Sequence, residues 1–260
     1  MAEEKKYGTL AWLKPGAVDR ETQGVFDMTP ADVKLFVYTN TAATSMMENP
    51  NFDISSFDRE KRPGILENVE GMVAYSHPAF VSVTGDLIQS AMGPAWGAGI
   101  VKDIERITGA KGATAMTAVT DCLDWIGTKR VAVATPFRKS QNDYMEKYLT
   151  EAGYTVTAID GYDTHSLKDV RNLPHDAALT LAKQVWDRNP TADAMLIGCP
   201  VWEPAPFISA IEAYTGVPVM TVLNVMVWAG LNAIGHPGGV RGYGRILEDP
   251  INPPKRLARV

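Results

Sequence analysis

The chain has 260 residues, of which 45% are hydrophobic and 21% are charged, and its formal net charge is -5. This composition is typical of a globular protein and excludes a disordered or fibrous chain. The acidic balance gives no electrostatic footprint for a nucleic-acid partner or an anionic membrane surface. The N-terminus has no apolar signal segment, and no apolar run reaches the roughly 18–20 residues of a membrane span.

Cysteine and histidine usage limits the chemistry further. The two cysteines, Cys122 and Cys199, are too few for a disulfide framework and predict a reducing, cytoplasmic location. No His, Cys and Asp cluster has the spacing of a metal site, so we expect no metal. The glycine-rich residues 93–99 form neither a phosphate loop nor a dinucleotide fingerprint, so we expect no cofactor.

Short apolar runs alternate along the chain with longer segments of helical character, which is typical of a parallel sheet covered on both faces. Strands are predicted at residues 9–13, 33–38, 72–75, 130–134, 155–159, 194–197 and 217–220. Helices are predicted at residues 97–107, 115–125, 142–152, 177–188, 205–214 and 223–233. Residues 40–63 are rich in Asn, Ser, Asp and Pro and predict a long loop that covers a site.

A weak internal repeat predicts a duplicated architecture. Three pairs of segments match in the same order: 10–15 with 131–136, 72–78 with 194–200, and 115–117 with 219–221. We therefore expect two pseudo-symmetric three-layer α/β/α lobes with parallel sheets, at 1–127 and 128–235, with the active site between them. Residues 236–260 are predicted to be a tail that packs back on the fold. Chance similarity between doubly wound sheets remains the alternative.

The second pair of segments points to a catalytic pair. Ligands of parallel sheets collect at the carboxyl ends of the strands, and His77 and Cys199 each follow an apolar run. Under pseudo-twofold symmetry the two side chains would face each other across one cleft, on opposite sides of a substrate. Cys122 lies inside a predicted helix and is interpreted as a core thiol.

Several motifs together resemble a known family. They are residues 74–77, 127–137, 196–199, 216–219 and 242–247. In order and spacing they resemble the Asp/Glu racemase superfamily, in the branch that contains maleate isomerases and arylmalonate decarboxylases. The resemblance implies cofactor-independent chemistry beside a carboxylate of a small-molecule substrate. It also implies two catalytic cysteines, of which the decarboxylases keep only the second and have glycine at the first position. Cys199 matches the second, and the first falls on His77.

The departures from the family pattern concern the groups that hold the substrate carboxylate. Hydroxylated residues and a tyrosine of the relatives are replaced here by Pro78, Ala79 and Phe137, and Pro200 removes an amide donor beside Cys199. We therefore expect a less charged, larger or more aromatic substrate than maleate. The other predicted substrate contacts are Pro15, Asn40, Tyr75, Ser76, Thr135 and Asn224.

Three functions remain open from the sequence. The first is an isomerase, racemase or decarboxylase that transfers protons with Cys199 and His77. The second is a hydrolase or ring-opening lyase in which His77 activates Cys199 as a nucleophile. The third is a non-catalytic relative that binds a small molecule. Neither a nucleic acid nor a membrane is an expected partner, and a homo-oligomer is left open.

Overall fold

The computed structural model describes residues 7–15, 20–40 and 53–252. Eight strands form two four-stranded parallel sheets with the same connectivity. The first sheet has the order β2-β1-β3-β4 and contains β1 (Thr9–Pro15), β2 (Lys34–Asn40), β3 (Phe80–Val83) and β4 (Lys111–Thr114). The second has the order β6-β5-β7-β8 and contains β5 (Arg130–Phe137), β6 (Thr155–Thr164), β7 (Ala194–Ile197) and β8 (Val219–Thr221).

Helices cover both sheets. In the first half of the chain they are α1 (Arg20–Met28), α2 (Ile54–Ser76), α3 (Asp86–Met92), α4 (Pro94–Thr108) and α5 (Ala115–Ile126). In the second half they are α6 (Lys139–Glu151), α7 (Leu167–Arg171), α8 (Ala177–Arg188), α9 (Ile208–Thr215), α10 (Val222–Ala233) and α11 (Arg245–Glu248). Short 3₁₀ turns at Pro200–Trp202 and Ala205–Phe207 connect β7 to α9. The predicted class of two α/β lobes with parallel sheets is confirmed.

Strand pairing shows which residues of the two sheets are equivalent. Val83 pairs with Leu13 and Thr114 in the first sheet. In the second sheet Ile197 pairs with Ala134 and Thr221 in the same way. Thr114 and Thr221 then each cap the following helix through a capping box. The predicted match of segments 10–15 and 131–136 agrees with this equivalence, because it aligns Leu13 with Ala134. The predicted matches of 72–78 with 194–200 and of 115–117 with 219–221 do not agree with it. The limits of the two lobes and the tail stay a prediction.

The largest error of the sequence analysis lies before β3. Residues 72–75 were predicted to be a strand, but they lie near the end of α2, which also contains residues 54–63 of the predicted loop at 40–63. Phe57, Ile65, Val69 and Met72 are its buried residues, at the spacing of one helix face. The actual strand is the short run Phe80–Val83, buried at every position. Residues 41–52 of the predicted loop lie outside the described residues. The prediction also omitted β4, α1, α3, α7 and α11.

Alternation along β1 separates the two faces of the first sheet. Ala11 and Leu13 face the helices α2 and α4 in one apolar cluster. Leu10 and Trp12 face the other way, into a larger cluster that extends through the second lobe. Helix α10 packs on this inner face, so closely that a Cβ on Gly230 would stand 2.9 Å from a Leu10 methyl carbon. The inner cluster therefore joins the lobes into one core.

The close approach of α10 predicts opposite effects of alanine at two helical glycines. Gly230→Ala should lower the free energy of unfolding by about 1–3 kcal/mol, because the added methyl group overpacks the core. Gly24→Ala in α1 should raise it by about 0.5–1 kcal/mol, because no atom lies within 4 Å of its Cβ and alanine favours the helix. Urea unfolding measures both values. Equal effects of the two variants would contradict the close packing of α10.

Candidate active site

Two equivalent turns lie at the carboxyl edges of the sheets. Gly85 is the second residue after β3, and Cys199 is the second residue after β7. Both have a positive φ, 127° for Gly85 and 60° for Cys199. Gly85 is therefore the first-lobe counterpart of Cys199, and it has no side chain to place opposite the thiol.

The backbone of Cys199 is strained in a way that Gly85 is not. Its φ of 60° and ψ of 113° fall in a region that residues with a side chain rarely adopt. Holding a non-glycine residue there costs on the order of 1–3 kcal/mol, and such strain concentrates at functional sites. The fold would accept glycine at this turn more readily, so a cysteine at position 199 indicates a role for its side chain.

A buried carboxylate joins the two lobes at this turn. Asp86 is the first residue of α3 and is 4% exposed. Its Oδ2 accepts a hydrogen bond of 2.7 Å from the backbone N–H of Cys199. Gly198 makes room for this contact, since a Cβ on it would stand 3.4 Å from the same Asp86 oxygen. The only side chain at the first-lobe turn that reaches Cys199 in the described contacts is thus an acid.

These surroundings keep the thiol protonated. Burial first, and then the charges of Asp86 and Glu21, raise the pKa of Cys199 well above its ordinary value. Burial also raises the pKa of Asp86, although the hydrogen bonds from the amides of Cys199 and Leu87 oppose that rise. At neutral pH the thiol therefore carries its proton, which suits a proton donor better than a nucleophile.

A buried ion pair lies beside this turn at the end of β1. Lys14 is fully buried, and its Nζ is 2.7 Å from Oε1 of Glu21 in α1. The same Nζ donates a hydrogen bond of 3.2 Å to Thr22 and lies 5.7 Å from the centroid of the Trp12 ring. The indole N–H of Trp12 donates in turn to Thr84, the residue between β3 and Gly85. Lys14, Glu21 and Asp86 therefore form a charged group around the carboxyl edge of the first sheet.

A cavity of about 440 Å³ opens beside the turn that follows Cys199. Its wall includes Val201, Trp202 and Glu203 of that turn, and Glu21 of α1. Glu21 thus connects the cavity to the charged group, because the same carboxylate contacts Lys14 and raises the pKa of the thiol. The volume is in the range of pockets that hold small molecules.

The structure separates His77 from Cys199, so the predicted catalytic pair is wrong. His77 ends α2 and precedes β3, whereas Cys199 contacts Asp86 after β3. The N–H of Ala79 donates to Thr9 at the start of β1, which fixes this segment at the amino edge. At about 3.3 Å per residue, the five steps from Ala79 to Thr84 span about 16 Å.

Four predicted substrate contacts are misplaced for the same reason. Tyr75 is 78% exposed, and the Ser76 hydroxyl donates to Met72 within α2. Pro78 and Ala79 follow at the amino edge of the first sheet, so neither can replace a donor beside the thiol. A strand was predicted at 72–75, where the structure has a helix, and this error placed the whole segment at the wrong edge of the sheet.

The other predicted contacts lie at the carboxyl edges. Pro15 and Asn40 pair at the ends of β1 and β2, and Pro200 directly follows Cys199. Thr135 and Phe137 lie near the end of β5 and are buried. The Thr135 hydroxyl donates a hydrogen bond of 2.6 Å to Oδ1 of Asn142.

Asn224 serves the helix rather than a ligand. Its side chain accepts from the Thr221 N–H and donates to the carbonyls of Val219 and Tyr243.

The sequence analysis missed Lys14, Glu21, Gly85, Asp86 and, on α6, Gln141. Two signals were present in the sequence. Lys14 interrupts an apolar strand just before Pro15, and Gly85-Asp86 follows the apolar run Phe80–Val83 as Cys199 follows β7. The pairing of a buried lysine with Glu21 requires the path of the chain between β1 and α1, which periodicity does not reveal.

Comparison with known proteins agrees with this architecture. The profile of the arylmalonate decarboxylase family matches residues 67–247. The chain belongs to this family. Arylmalonate decarboxylase of Bordetella bronchiseptica is 24% identical over 172 residues, which cover 66% of this chain and 72% of that protein.

Two solved structures share the fold. A liganded arylmalonate decarboxylase variant, with one glycine changed to cysteine and one cysteine changed to serine, superposes with a TM-score of 0.78 at 20% identity. The match covers 93% of this chain and 99% of that chain. The maleate isomerase of Pseudomonas putida S16 has a TM-score of 0.78 at 17% identity, over 94% and 99% of the two chains. The two changed positions of the decarboxylase variant are 114 residues apart, as are Gly85 and Cys199.

Neither a metal site nor a membrane span is present in the part of the chain that the structure describes. There, no three His, Cys, Asp or Glu side chains are grouped so that they could hold a metal ion. Of the helices in those same ranges, none has the length and apolar character needed to cross a membrane.

The strain at Cys199 predicts an inverted order of stability between glycine and alanine. Cys199→Gly should unfold with a free energy at least about 1 kcal/mol higher than Cys199→Ala, because only glycine relieves the positive φ. Cys122 in α5 supplies the matched control. There the free energy of unfolding of Cys122→Ala should be about 1 kcal/mol higher than that of Cys122→Gly, because alanine favours a helix. Denaturant unfolding of the four variants decides. The same order at both positions would show that Cys199 is unstrained.

The charge of Asp86 predicts a change in thiol titration. Asp86→Asn should lower the pKa of Cys199, because it removes a negative charge that opposes the thiolate. The ultraviolet absorbance of the thiolate, followed against pH in a Cys122→Ala background, reports Cys199 alone. Asp103→Asn, in a carboxylate that pairs with Arg62, is the control and should leave the titration unchanged. A titration insensitive to Asp86→Asn would refute the coupling.

Proposed function

We propose that this chain is a cofactor-independent decarboxylase of a small carboxylic acid, in which the Cys199 thiol supplies the proton that replaces the lost carboxyl group. One observation carries the proposal. The site has a buried, protonated thiol on one side and a glycine, Gly85, at the equivalent position on the other.

The reaction needs no group beyond those of the site and the substrate. The bond between the carboxylate and its carbon breaks, carbon dioxide leaves, and the electron pair stays on that carbon. A carbonyl group next to this carbon accepts the charge as an enolate. Cys199 then donates its proton to the carbon, and the resulting thiolate regains a proton from water.

A single thiol favours decarboxylation over racemisation. Racemisation needs one group to remove a proton and a second to deliver one on the opposite face, and Gly85 has no side chain for either step. Decarboxylation creates its own carbanion and needs only one donor. The equal spacing of Gly85 and Cys199 and of the two changed positions in the arylmalonate decarboxylase variant supports the same assignment.

The hydrolase and ring-opening hypothesis loses its base. His77 was expected to activate Cys199 as a nucleophile, but it lies at the opposite edge of the first sheet. Burial and the charges of Asp86 and Glu21 oppose formation of the thiolate that such a reaction would require. The proton-donor function uses the form of the thiol that these surroundings stabilise.

The remaining site residues are assigned by their position. We assign Pro15, Asn40, Thr135, Phe137 and Pro200 to the walls of the substrate site, because their backbone lies at the carboxyl edges that meet there. A cytoplasmic location is proposed as well and is supported by the two free cysteines. A homo-oligomer is proposed as well.

The decarboxylase proposal predicts solvent proton incorporation that depends on Cys199. Acids in which one carbon carries both the carboxyl group and a carbonyl group should release carbon dioxide. In D₂O the product should carry one deuterium on the carbon that lost the carboxyl group. Cys199→Ala should lower kcat by about 10²–10⁴, the contribution of a positioned proton donor. Carbon dioxide release and mass spectrometry of the product measure both outcomes.

His77→Asn is the matched control for this experiment. Asparagine tolerates the left-handed backbone at residue 77, where φ is 41°, so the fold is preserved. We expect wild-type rates, because the side chain is at the amino edge. Wild-type turnover in Cys199→Ala, or a product that is an isomer of the substrate with no carbon dioxide released, would disprove the proposed function.

A further inference from the structure

The position of the Asp86 carboxylate restricts which anions the site can hold. Its Oδ2 already accepts a hydrogen bond of 2.7 Å from the backbone N–H of Cys199. An N–H beside a catalytic side chain is a natural donor to a substrate carboxylate or enolate, and here that donor is used by the protein's own carboxylate. A substrate carboxylate placed beside it would lose the hydrogen bond and meet a like charge.

Within the group of Lys14, Glu21 and Asp86, the one cation is already paired. Lys14 is a buried cation, but Glu21 stands 2.7 Å from its Nζ and neutralises it. With both acids ionised, the group of Lys14, Glu21 and Asp86 has a net charge of one negative. With Asp86 protonated the net charge is zero. Neither state attracts a substrate with two carboxylates.

A neutral hydrogen-bonding group lies beside the acid. Gln141 is in the first turn of α6 and is 1% exposed. Within the described residues neither its Nε2 nor its Oε1 has a hydrogen-bond partner. Leaving such a group buried and unsatisfied costs about 1–3 kcal/mol, and a bound ligand is one of the explanations such a group calls for.

Gln141 lies on the face of α6 that is turned toward Gly198 and Asp86. Met145 is one helical turn later and therefore on the same face. A Cβ on Gly198 would stand 3.2 Å from the Met145 methyl carbon and 3.4 Å from Oδ2 of Asp86, so this face of α6 is turned toward Gly198 and Asp86. Because α6 begins after the carboxyl end of β5, Gln141 is one turn nearer than Met145 to the edge where Cys199 lies.

We propose that Asp86 and Gln141 set the substrate class: Asp86 excludes a second carboxylate, and the Gln141 carboxamide binds a neutral carbonyl that accepts the charge of the reaction. This inference rests on the proposed decarboxylase function. The substrate then has one carboxylate, which is lost, and a ketone, ester or amide on the same carbon. A malonate, which keeps two carboxylates at neutral pH, is disfavoured.

Two isosteric probes test the inference, phenylmalonate and its mono-amide, which differ in charge but hardly in shape. For the wild-type protein we expect kcat/KM at least about tenfold higher for the mono-amide. Asp86→Asn keeps an oxygen for the Cys199 N–H and should shift this ratio at least about tenfold toward phenylmalonate. Gln141→Leu should lower kcat/KM for the mono-amide about 10–100-fold, the loss expected for a buried hydrogen bond to a developing charge.

Ser90→Ala is the control variant. The Ser90 hydroxyl is another buried atom without a partner among the described residues, one turn beyond Asp86 on α3. Its removal should leave the ratio of the two probes unchanged. An equal shift in Ser90→Ala and Asp86→Asn would overturn the assignment, because any disturbance of α3 would then suffice. The wild-type preference needs no variant and tests the inference even where a variant fails to fold.

Binding separates this inference from the proposed function. In Cys199→Ser, which keeps the backbone N–H but lacks the thiol, calorimetry should give a Kd for the mono-amide at least about tenfold below that for phenylmalonate. If that order holds and the wild type releases no carbon dioxide from either probe, the function is wrong and the substrate class stands. Tighter binding and faster turnover of phenylmalonate, or no binding of either probe, would overturn the substrate class.

Discussion

The hydrogen bond from the Cys199 N–H to the Asp86 carboxylate is the contact on which the site depends. It joins the turn after β7 to the turn after β3, and so it fixes one lobe against the other where the two carboxyl edges meet. A buried carboxylate is costly unless backbone donors satisfy it, and the amides of Cys199 and Leu87 do so here. The same acid raises the pKa of the thiol that it positions. Asp86 therefore fixes the turn that carries the Cys199 thiol and, after burial, is the largest cause that keeps this thiol protonated.

The second constraint is that charge at this edge is balanced inside the protein. Lys14 is fully buried and would be expensive to keep ionised without Glu21. Glu21 also lines the 440 Å³ cavity, whose wall contains Glu203, Arg171 and His175 as well.

The sequence predicted the fold well and the site only in part, for a physical reason. Strands in parallel sheets are short and apolar, and β7 was placed with its observed limits because polar residues flank it. The run at 72–75 is equally apolar, but it belongs to the last turns of a helix in which only Met72 of the four is buried, and a window of four residues cannot separate period 2 from period 3.6. That single error placed His77 where Gly85 belongs. Cys199 was correctly located at a carboxyl edge, because its strand was correct.

Duplication explains why the error could occur and why the corrected register matters. Two copies of one sheet topology produce two equivalent turns, and the backbone of both requires a positive φ. Glycine meets that requirement without strain, as Gly85 does, so the default residue at this turn carries no chemistry. The second copy keeps a cysteine there despite the cost. A symmetric pair of thiols could act on either face of a flat intermediate, whereas one thiol opposite a glycine delivers its proton from one face only. Under the proposed function, the asymmetry between Gly85 and Cys199 therefore gives a symmetric scaffold one defined direction of protonation.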